Sequence, residues 1–113
     1  MAHRRLRVYV GERDKDARGH ILHETILHEA HRQGLAGAIV IRGFAGFGAR
    51  SRVHTAKILR LSEDLPVVIE IVDAAAKIAG FLPWVRDVVR QGLVTVEEVT
   101  VIAAEGAGDI DLT

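Results

Sequence analysis

The first third of the chain changes from a two-residue to a four-residue hydrophobic repeat. Residues Leu6–Val10 alternate between apolar and polar side chains, which predicts a half-buried strand. The polar stretch 11–19 predicts a loop, and His20–Gln33 then predicts an amphipathic helix that Gly34 ends. The apolar side of this helix consists of residues four positions apart, Leu22, Ile26 and Ala30.

Two further strands are predicted in the middle of the chain. Ala36–Arg42 is mostly apolar, and Val67–Val72 is rich in β-branched residues, as strands usually are. Between them lie a glycine-rich stretch, 43–48, a basic mixed segment that reaches Leu61, and a turn at Ser62–Pro66.

A second helix follows the third strand, with Asp73 as its predicted N-cap and Gly92 at its end. Pro83 lies within it, yet the apolar residues before and after Pro83 keep one helical phase, so we predict a single kinked helix. At 100° per residue these apolar residues fall within an arc of about 120° that excludes Pro83: Ile78, Phe81, Leu82, Val85, Val88 and Val89. Thr95–Ile102 predicts a fourth strand, and the tail 103–113 is expected to fray.

The resulting order, β-α-β-β-α-β, predicts an α+β fold of the ferredoxin-like type. In that fold both helices cover one face of a four-stranded antiparallel sheet. We expect a single domain over residues 1–113, with a core of about 6–102. Ile39 and Ile41 are expected on one sheet face, and several apolar residues on the face without helices: Val40, Val68, Val72 and Ile102. An uncovered apolar face is typical of an oligomer interface, so we expect a homo-oligomer.

The composition narrows the classes of function. The chain has 113 residues, no cysteine and a formal net charge of +0, which argues against disulfides and thiolate metal sites and gives no pull toward nucleic acid. Its longest apolar runs, such as Leu35–Ile41, are about seven residues, far short of the roughly 20 of a membrane span. We therefore expect a cytoplasmic protein that does not bind nucleic acid.

The local charge is less even, because five basic and no acidic residues lie between Arg42 and Arg60. Glycines at 43, 46 and 48 allow backbone N–H groups to approach an anion closely, and nearby side chains add charge and a hydroxyl: Arg50, Arg52 and Ser51. The alternative is a glycine-rich hinge whose arginines face water. The stretch lacks the Gly-Lys-Ser/Thr of a Walker loop. We expect Arg42–Arg60 to be mobile without a ligand.

Catalytic patterns are absent, and a metal site has weak support. His20 and His23, like His28 and His31, have the i, i+3 spacing that binds zinc, nickel or copper, although an exposed polar helix face explains them as well. Glu70 lies mid-strand and is expected to meet a basic partner across the sheet or at an interface. No nucleophile elbow, catalytic triad or paired acid and base is present, so no catalytic residue is assigned and no enzyme is predicted.

Several runs resemble the PII-like family called domain of unknown function 190. The resemblance covers roughly Leu6 to Ile102, and its central block is the most specific part. The matching runs are Val10–Glu12, Gly37–Ala38, Arg42–Gly48, Arg52–Thr55, Leu59–Glu70 and Gly92–Thr95.

This resemblance implies a PII-like ferredoxin-like fold, a trimer, and ligand sites in clefts between subunits. Over 42–50 the chain is similar to the base of the target-contacting loop of PII proteins, with an insertion. It departs from them in a shortened turn at 90–95 and an acidic tail in place of an arginine-rich one. These departures argue against tight triphosphate binding and leave a nucleotide with fewer phosphates or another anion as the ligand. The implied ligand residues are Arg42, Gly43, Gly46, Phe47, Gly48, Arg50, Ser51, Arg52, His54 and Gly92.

Taken together, these features predict a trimeric regulatory protein that binds a small anionic metabolite, with an adenine nucleotide as the plausible ligand and no bound cofactor. The loop 44–60 is expected to act on a partner, and the resemblance suggests a membrane transport protein. The alternative is a divalent-metal-binding, metal-tolerance protein of the same fold. No metal ligand is assigned.

Overall fold

The computed structural model describes residues 2–46 and 65–104, which form four strands and two helices in the predicted order. Their bounds are β1 His3–Gly11, α1 Leu22–Arg32, β2 Ala38–Arg42, β3 Pro66–Ala74, α2 Ala75–Val88 and β4 Leu93–Val99. The predicted segments 47–64 and 105–113, which hold most of the basic loop and most of the tail, lie outside these residues.

The strands form one sheet in the order β2-β3-β1-β4, and every neighbouring pair is antiparallel. Both helices pack on the same face of it, so the predicted ferredoxin-like α+β fold is confirmed. The core is built from alternate residues of β1 and β3 and the apolar sides of both helices: Leu6, Val8, Val10, Val67, Ile69, Ile71, Leu22, Ile26, Ala30, Ile78, Phe81 and Val85. Within the part of the chain that the structure describes, no helix is long and apolar enough to cross a membrane.

The helix α2 runs unbroken through Pro83, as predicted. Pro83 is exposed, and the side chains of Ile78, Phe81 and Val85 on the opposite side are buried. A proline has no N–H to donate to the carbonyl four residues earlier, that of Ala79. Because Pro83 lies on the solvent side of the helix, water can donate a hydrogen bond to that carbonyl instead.

The predicted N-cap at Asp73 is wrong. The strand β3 continues through Asp73 to Ala74, because Ala74 still pairs with His3 of β1. The Asp73 carboxylate accepts hydrogen bonds from the backbone N–H of Ala36 (2.9 Å) and of Ala74 (2.7 Å), and so ties the start of β2 to the end of β3. The residue before the helix is therefore Ala74, which has no capping side chain.

The face of the sheet opposite the helices, called the open face below, differs from the prediction along β2 and after β4. Val40 pairs with Ile69 and lies on the helix face, which leaves Ile39 and Ile41 on the open face, 53% and 46% exposed. Ile102 lies beyond β4, because pairing with β1 ends at His3 and Val99. Val68 and Val72 do lie on the open face, as predicted.

An apolar band crosses the open face from one edge to the other. Ile41 of β2 pairs with Val68 of β3, which faces Tyr9 of β1, and Tyr9 in turn pairs with Leu93 of β4. Every strand therefore contributes one large apolar or aromatic side chain to the same row. We call these four residues the apolar band.

Beside this band, the charges of the open face neutralise each other. Arg7 donates to Glu70 at 3.0 Å and to Glu97 at 3.1 Å, and Arg5 donates to Glu97 at 2.6 and 2.8 Å. The Arg5 guanidinium holds the pKa of the Glu97 carboxyl below its usual value, chiefly through these hydrogen bonds. The basic partner expected for Glu70 is therefore Arg7, on the neighbouring strand.

Candidate ligand site

The loops that carry the predicted ligand residues meet at one end of the sheet. Strands β1 and β2 end there, at Gly11 and Arg42, and the antiparallel strands β3 and β4 begin there, at Pro66 and Leu93. We call this the loop end of the sheet. It brings Arg42, Gly43, Gly46 and Gly92 to one side of the molecule.

Gly43 lies too close to Pro66 for any side chain. Its N–H donates to the Pro66 carbonyl at 2.7 Å, and a Cβ atom on Gly43 would stand 2.8 Å from Pro66 Cγ and 3.1 Å from that carbonyl oxygen. At Gly46 a Cβ would be 3.2 Å from the same Pro66 Cγ. The chain after β2 thus folds tightly around Pro66, with the Phe44 side chain 81% exposed.

Gly92 makes an equally close approach on another strand. A Cβ atom there would stand 2.6 Å from the Tyr9 carbonyl oxygen and 3.2 Å from Val10 Cγ1. A contact below 3.0 Å with a backbone atom requires the backbone to move. The glycine therefore sets how closely the turn before β4 lies against β1.

Arg42 is held by a carboxylate that the sequence did not indicate. Its Nε contacts Glu12 Oε2, and its second guanidinium nitrogen donates to Glu12 Oε1 at 3.1 Å. The Glu12 backbone N–H donates to the Leu65 carbonyl at 2.7 Å, which anchors the acidic residue beside the start of β3. The two side chains are 61% and 28% exposed, so the ion pair lies at the surface, open to an incoming anion.

One chain does not bring Arg42 and Gly92 together. Strand β2 is one edge of the sheet and β4 is the other, with β3 and β1 between them. Three interstrand steps of about 4.8 Å separate these edges by roughly 14 Å. The Arg42–Gly46 half and the Gly92 half therefore lie at the same end of the sheet but on opposite edges.

The other predicted ligand residues lie outside the described part of the chain: Phe47, Gly48, Arg50, Ser51, Arg52 and His54. Their place in a site stays a prediction. On α1, His28 and His31 are exposed, and His20, in the turn before it, has its Nδ1 3.8 Å from Asp16 Oδ2. Over residues 2–46 and 65–104, no three histidine, aspartate or glutamate side chains are grouped so as to hold a metal ion.

The sheet order, the two helices on one face and the loops gathered at one end define a PII-like domain within the ferredoxin-like folds. The chain belongs to the DUF190 family, whose description reads "Uncharacterized ACR" and whose model matches residues 3–101. This match confirms the family that the sequence motifs indicated.

Relatives of similar length occur in distant organisms. A UPF0166 protein of Aquifex aeolicus is 37% identical over 97 residues, which cover 86% of this chain and 90% of that protein. A UPF0166 protein of Methanocaldococcus jannaschii is 36% identical over 101 residues, which cover 88% and 92% of the two chains.

Two solved structures share the fold at low sequence identity. CPII from Thiomonas intermedia K12, bound to ADP and bicarbonate, has a TM-score of 0.55 and 17% identity and covers 88% of this chain and 87% of its own. A second CPII structure, described as a nitrogen regulatory PII-like protein bound to ADP, AMP and bicarbonate, has a TM-score of 0.54 and 15% identity, with coverages of 92% and 97%. At these identities the likeness establishes the fold alone.

Proposed function

We propose that the protein is a PII-like regulator that binds a small anionic metabolite, with an adenine nucleotide as the first candidate, in clefts between the subunits of a homotrimer. It acts by binding rather than by catalysis. The loop 44–60 then transmits the bound state to a partner, for which a membrane transport protein is our working choice.

The observation that carries this proposal is the position of the two glycine turns. Gly43 and Gly92 both bring backbone close to a neighbouring strand at the loop end, yet they lie on opposite edges of the sheet. A second copy placed edge to edge would set the β4 edge of one chain beside the β2 edge of the next. A small ligand in that cleft would meet both halves of the site, which a single chain cannot offer.

The open face supports assembly. The apolar band gives a continuous hydrophobic row, and the exposed fractions of Ile41 and Leu93 are 46% and 56%. Burial of charged groups is costly unless they are paired, and here Arg5 and Arg7 are already paired with Glu70 and Glu97. A closed ring of three subunits would cover this face without leaving an unpaired charge from that network.

An adenine nucleotide is favoured by two independent points. Both CPII structures hold ADP, and one also holds AMP. In this chain Arg42 and the basic stretch that follows it supply cationic groups beside glycine backbone, a combination that suits phosphate. The shortened turn at 90–95 offers less backbone for a third phosphate, so we expect ADP or AMP to bind more tightly than ATP.

Isothermal titration calorimetry with ATP, ADP and AMP tests the proposal, together with sedimentation velocity for subunit number. The double variant Arg50→Ala, Arg52→Ala is expected to weaken nucleotide binding by about 2–4 kcal/mol, if both side chains make charged hydrogen bonds, and to leave the oligomer intact. Arg86→Gln, a change at an exposed arginine in the last turn of α2, is the control and should alter neither property.

A wild-type protein that binds none of the three nucleotides would end the nucleotide proposal. A thermal-shift screen with zinc, nickel and copper would then decide for or against the metal alternative. Nucleotide binding with unchanged affinity in the double variant would instead place the site away from residues 50–52.

A further inference from the structure

A groove of about 590 Å³ lies between the β1–α1 loop and the end of α2, directly before the Gly92 turn. Its volume falls within the range of about 300–1,000 Å³ that is common for small-molecule sites. The residues that matter to its chemistry are Lys15, Leu22, Trp84, Asp87, Val88 and Arg90. Arg90 opens the 90–95 turn of the proposed anion site, and the other five lie outside that site.

The wall formed by the β1–α1 loop is held rigidly by its own hydrogen bonds. Asp16 accepts from the backbone N–H groups of Arg18 (2.9 Å) and His20 (3.0 Å) and from the Thr25 hydroxyl (2.6 Å). The hydrogen bond from Thr25, followed by those backbone bonds, holds the pKa of Asp16 below its usual value. Asp14 accepts from the Gly11 N–H at 2.9 Å. These two carboxylates fix the loop and are engaged before any ligand arrives.

The floor of the groove is apolar and packs against the hydrophobic core. The Trp84 ring stacks on the buried Phe81 ring, with the ring centroids 5.5 Å apart and the planes at 20°. Leu22 is buried, and Val88 is half-buried beside the core. A hydrophobic side chain of a ligand would therefore contact a preformed surface.

Three charged side chains in the groove remain without a partner among the residues that the structure describes. Lys15, Asp87 and Arg90 make no hydrogen bond or ion pair there. Both signs of charge are therefore available, next to an apolar floor. A purely anionic ligand would be repelled by Asp87 and by the carboxylates of Asp14 and Asp16. The cations Lys15 and Arg90 therefore do not by themselves make this groove an anion site.

We propose that this groove binds a small zwitterion of the α-amino-acid type that carries an apolar or aromatic side chain. Its carboxylate bonds Arg90 or Lys15, its ammonium group bonds Asp87, and its side chain lies against Trp84. This site adjoins the proposed anion site only at the turn that holds Arg90 and Gly92, so one chain responds to two kinds of small molecule.

The tryptophan provides the measurement, because Trp84 is the single tryptophan of the chain. L-phenylalanine, which does not absorb where tryptophan is selectively excited, is the first probe. We expect a saturable change in Trp84 fluorescence. Two analogues each lack one charge, 3-phenylpropionate the ammonium and phenethylamine the carboxylate, and each should bind about tenfold more weakly, as expected for one lost charged hydrogen bond.

Variants locate the binding. Asp87→Asn should weaken phenylalanine binding about tenfold. It should not weaken 3-phenylpropionate binding, since this anion has no ammonium group to lose a partner and meets one carboxylate fewer. Arg90→Gln with Lys15→Gln should weaken both. Arg86→Gln lies on the same helix outside the groove and should change neither.

Absence of any fluorescence change with phenylalanine, leucine and valine at about 10 mM, a concentration that fills a site with a Kd of about 1 mM to roughly 90%, would overturn the proposal. Equal affinity for phenylalanine and 3-phenylpropionate would overturn the zwitterion assignment. Arg42→Gln, which removes a proposed nucleotide contact, should leave phenylalanine binding intact, so the two proposed sites succeed or fail separately.

Discussion

Arg42 and Glu12 hold each other across the loop end of the sheet, although 30 residues separate them in the chain. Both guanidinium contacts go to the same carboxylate, one to each oxygen. An anion that binds Arg42 must therefore compete with a carboxylate that is already in place. The Glu12 carboxylate therefore competes with the proposed ligand for the Arg42 guanidinium.

Removal of the negative charge of Glu12 should strengthen nucleotide binding. Glu12→Gln keeps the shape of the side chain but loses its charge, so we expect ADP to bind about two- to fivefold more tightly, in line with an exposed ion pair worth up to about 1 kcal/mol. Calorimetry measures the change, with Glu24→Gln on α1 as the control for lost negative charge. Unchanged or weaker binding by Glu12→Gln would show that Arg42 is not a ligand contact.

The close approach of Gly92 to β1 should make it sensitive to a single methyl group. Gly92→Ala places a Cβ 2.6 Å from the Tyr9 carbonyl oxygen, and the backbone shift that follows should lower the free energy of unfolding by about 1–3 kcal/mol. Gly80→Ala is the matched control. Its Cβ would meet nothing within 4 Å on an exposed helical position, so it should raise stability by about 0.5–1 kcal/mol. Urea denaturation distinguishes the two, and equal effects would contradict the contact.

The apolar band predicts where a charge should break the assembly. Ile41→Lys puts an unpaired ammonium group into the proposed interface, so the dissociation constant of the oligomer should rise more than about tenfold. His28→Lys, on the exposed side of α1, adds the same side chain on the opposite layer and should leave assembly unchanged. Sedimentation velocity at micromolar concentration measures the oligomeric state of each variant. A monomeric wild-type protein would contradict the proposed trimer.

Glu29 predicts a specific acid dependence of stability. Hydrogen bonds from Arg32 and then Gln33 lower the pKa of its carboxyl from 4.5 to about 2 in the folded chain. A lowered pKa stabilises the folded state fully above the ordinary value of 4.5, and this contribution is lost as the pH falls toward 2. Glu29→Gln should therefore be less stable than wild type at pH 7, and the gap should close as the pH falls from 4.5 to 2.

Chemical denaturation at a series of pH values measures that gap. Glu24→Gln, an exposed carboxylate on the same helix with no partner among the described residues, serves as the control. A gap for Glu29→Gln that stays constant over this range would contradict the role of the carboxylate.

Patterns within a segment were sufficient for most of the fold. Leu6, Val8 and Val10 alternate with polar residues because only one side of β1 is buried. This alternation can be recognised from the sequence alone. The continuous helix through Pro83 was likewise predictable, since helical phase survives a proline on the solvent side.

Features that depend on pairing between distant segments were not predictable in this way. In β2 every residue from Ala38 to Ile41 is apolar, so the pattern does not say which side faces the helices, and only the register with β3 places Val40 inward. The partner of Arg42 was missed for a similar reason, because nothing near Arg42 in the chain points to Glu12. The sequence motifs were sufficient to single out Gly43 and Gly92 as ligand residues. Their positions on opposite edges of the sheet depend on the strand order, which only the structure shows.

The position of β1 also affects how the chain reaches this structure. β1 is the earliest strand in sequence, yet its pairing partners lie at Pro66–Ala74 and Leu93–Val99 on its two sides. During translation the segment that becomes β1 must wait until nearly the whole chain has been made before both of its partners exist. Long-range pairing of this kind slows folding, and the four-stranded sheet cannot be completed before Val99 has left the ribosome.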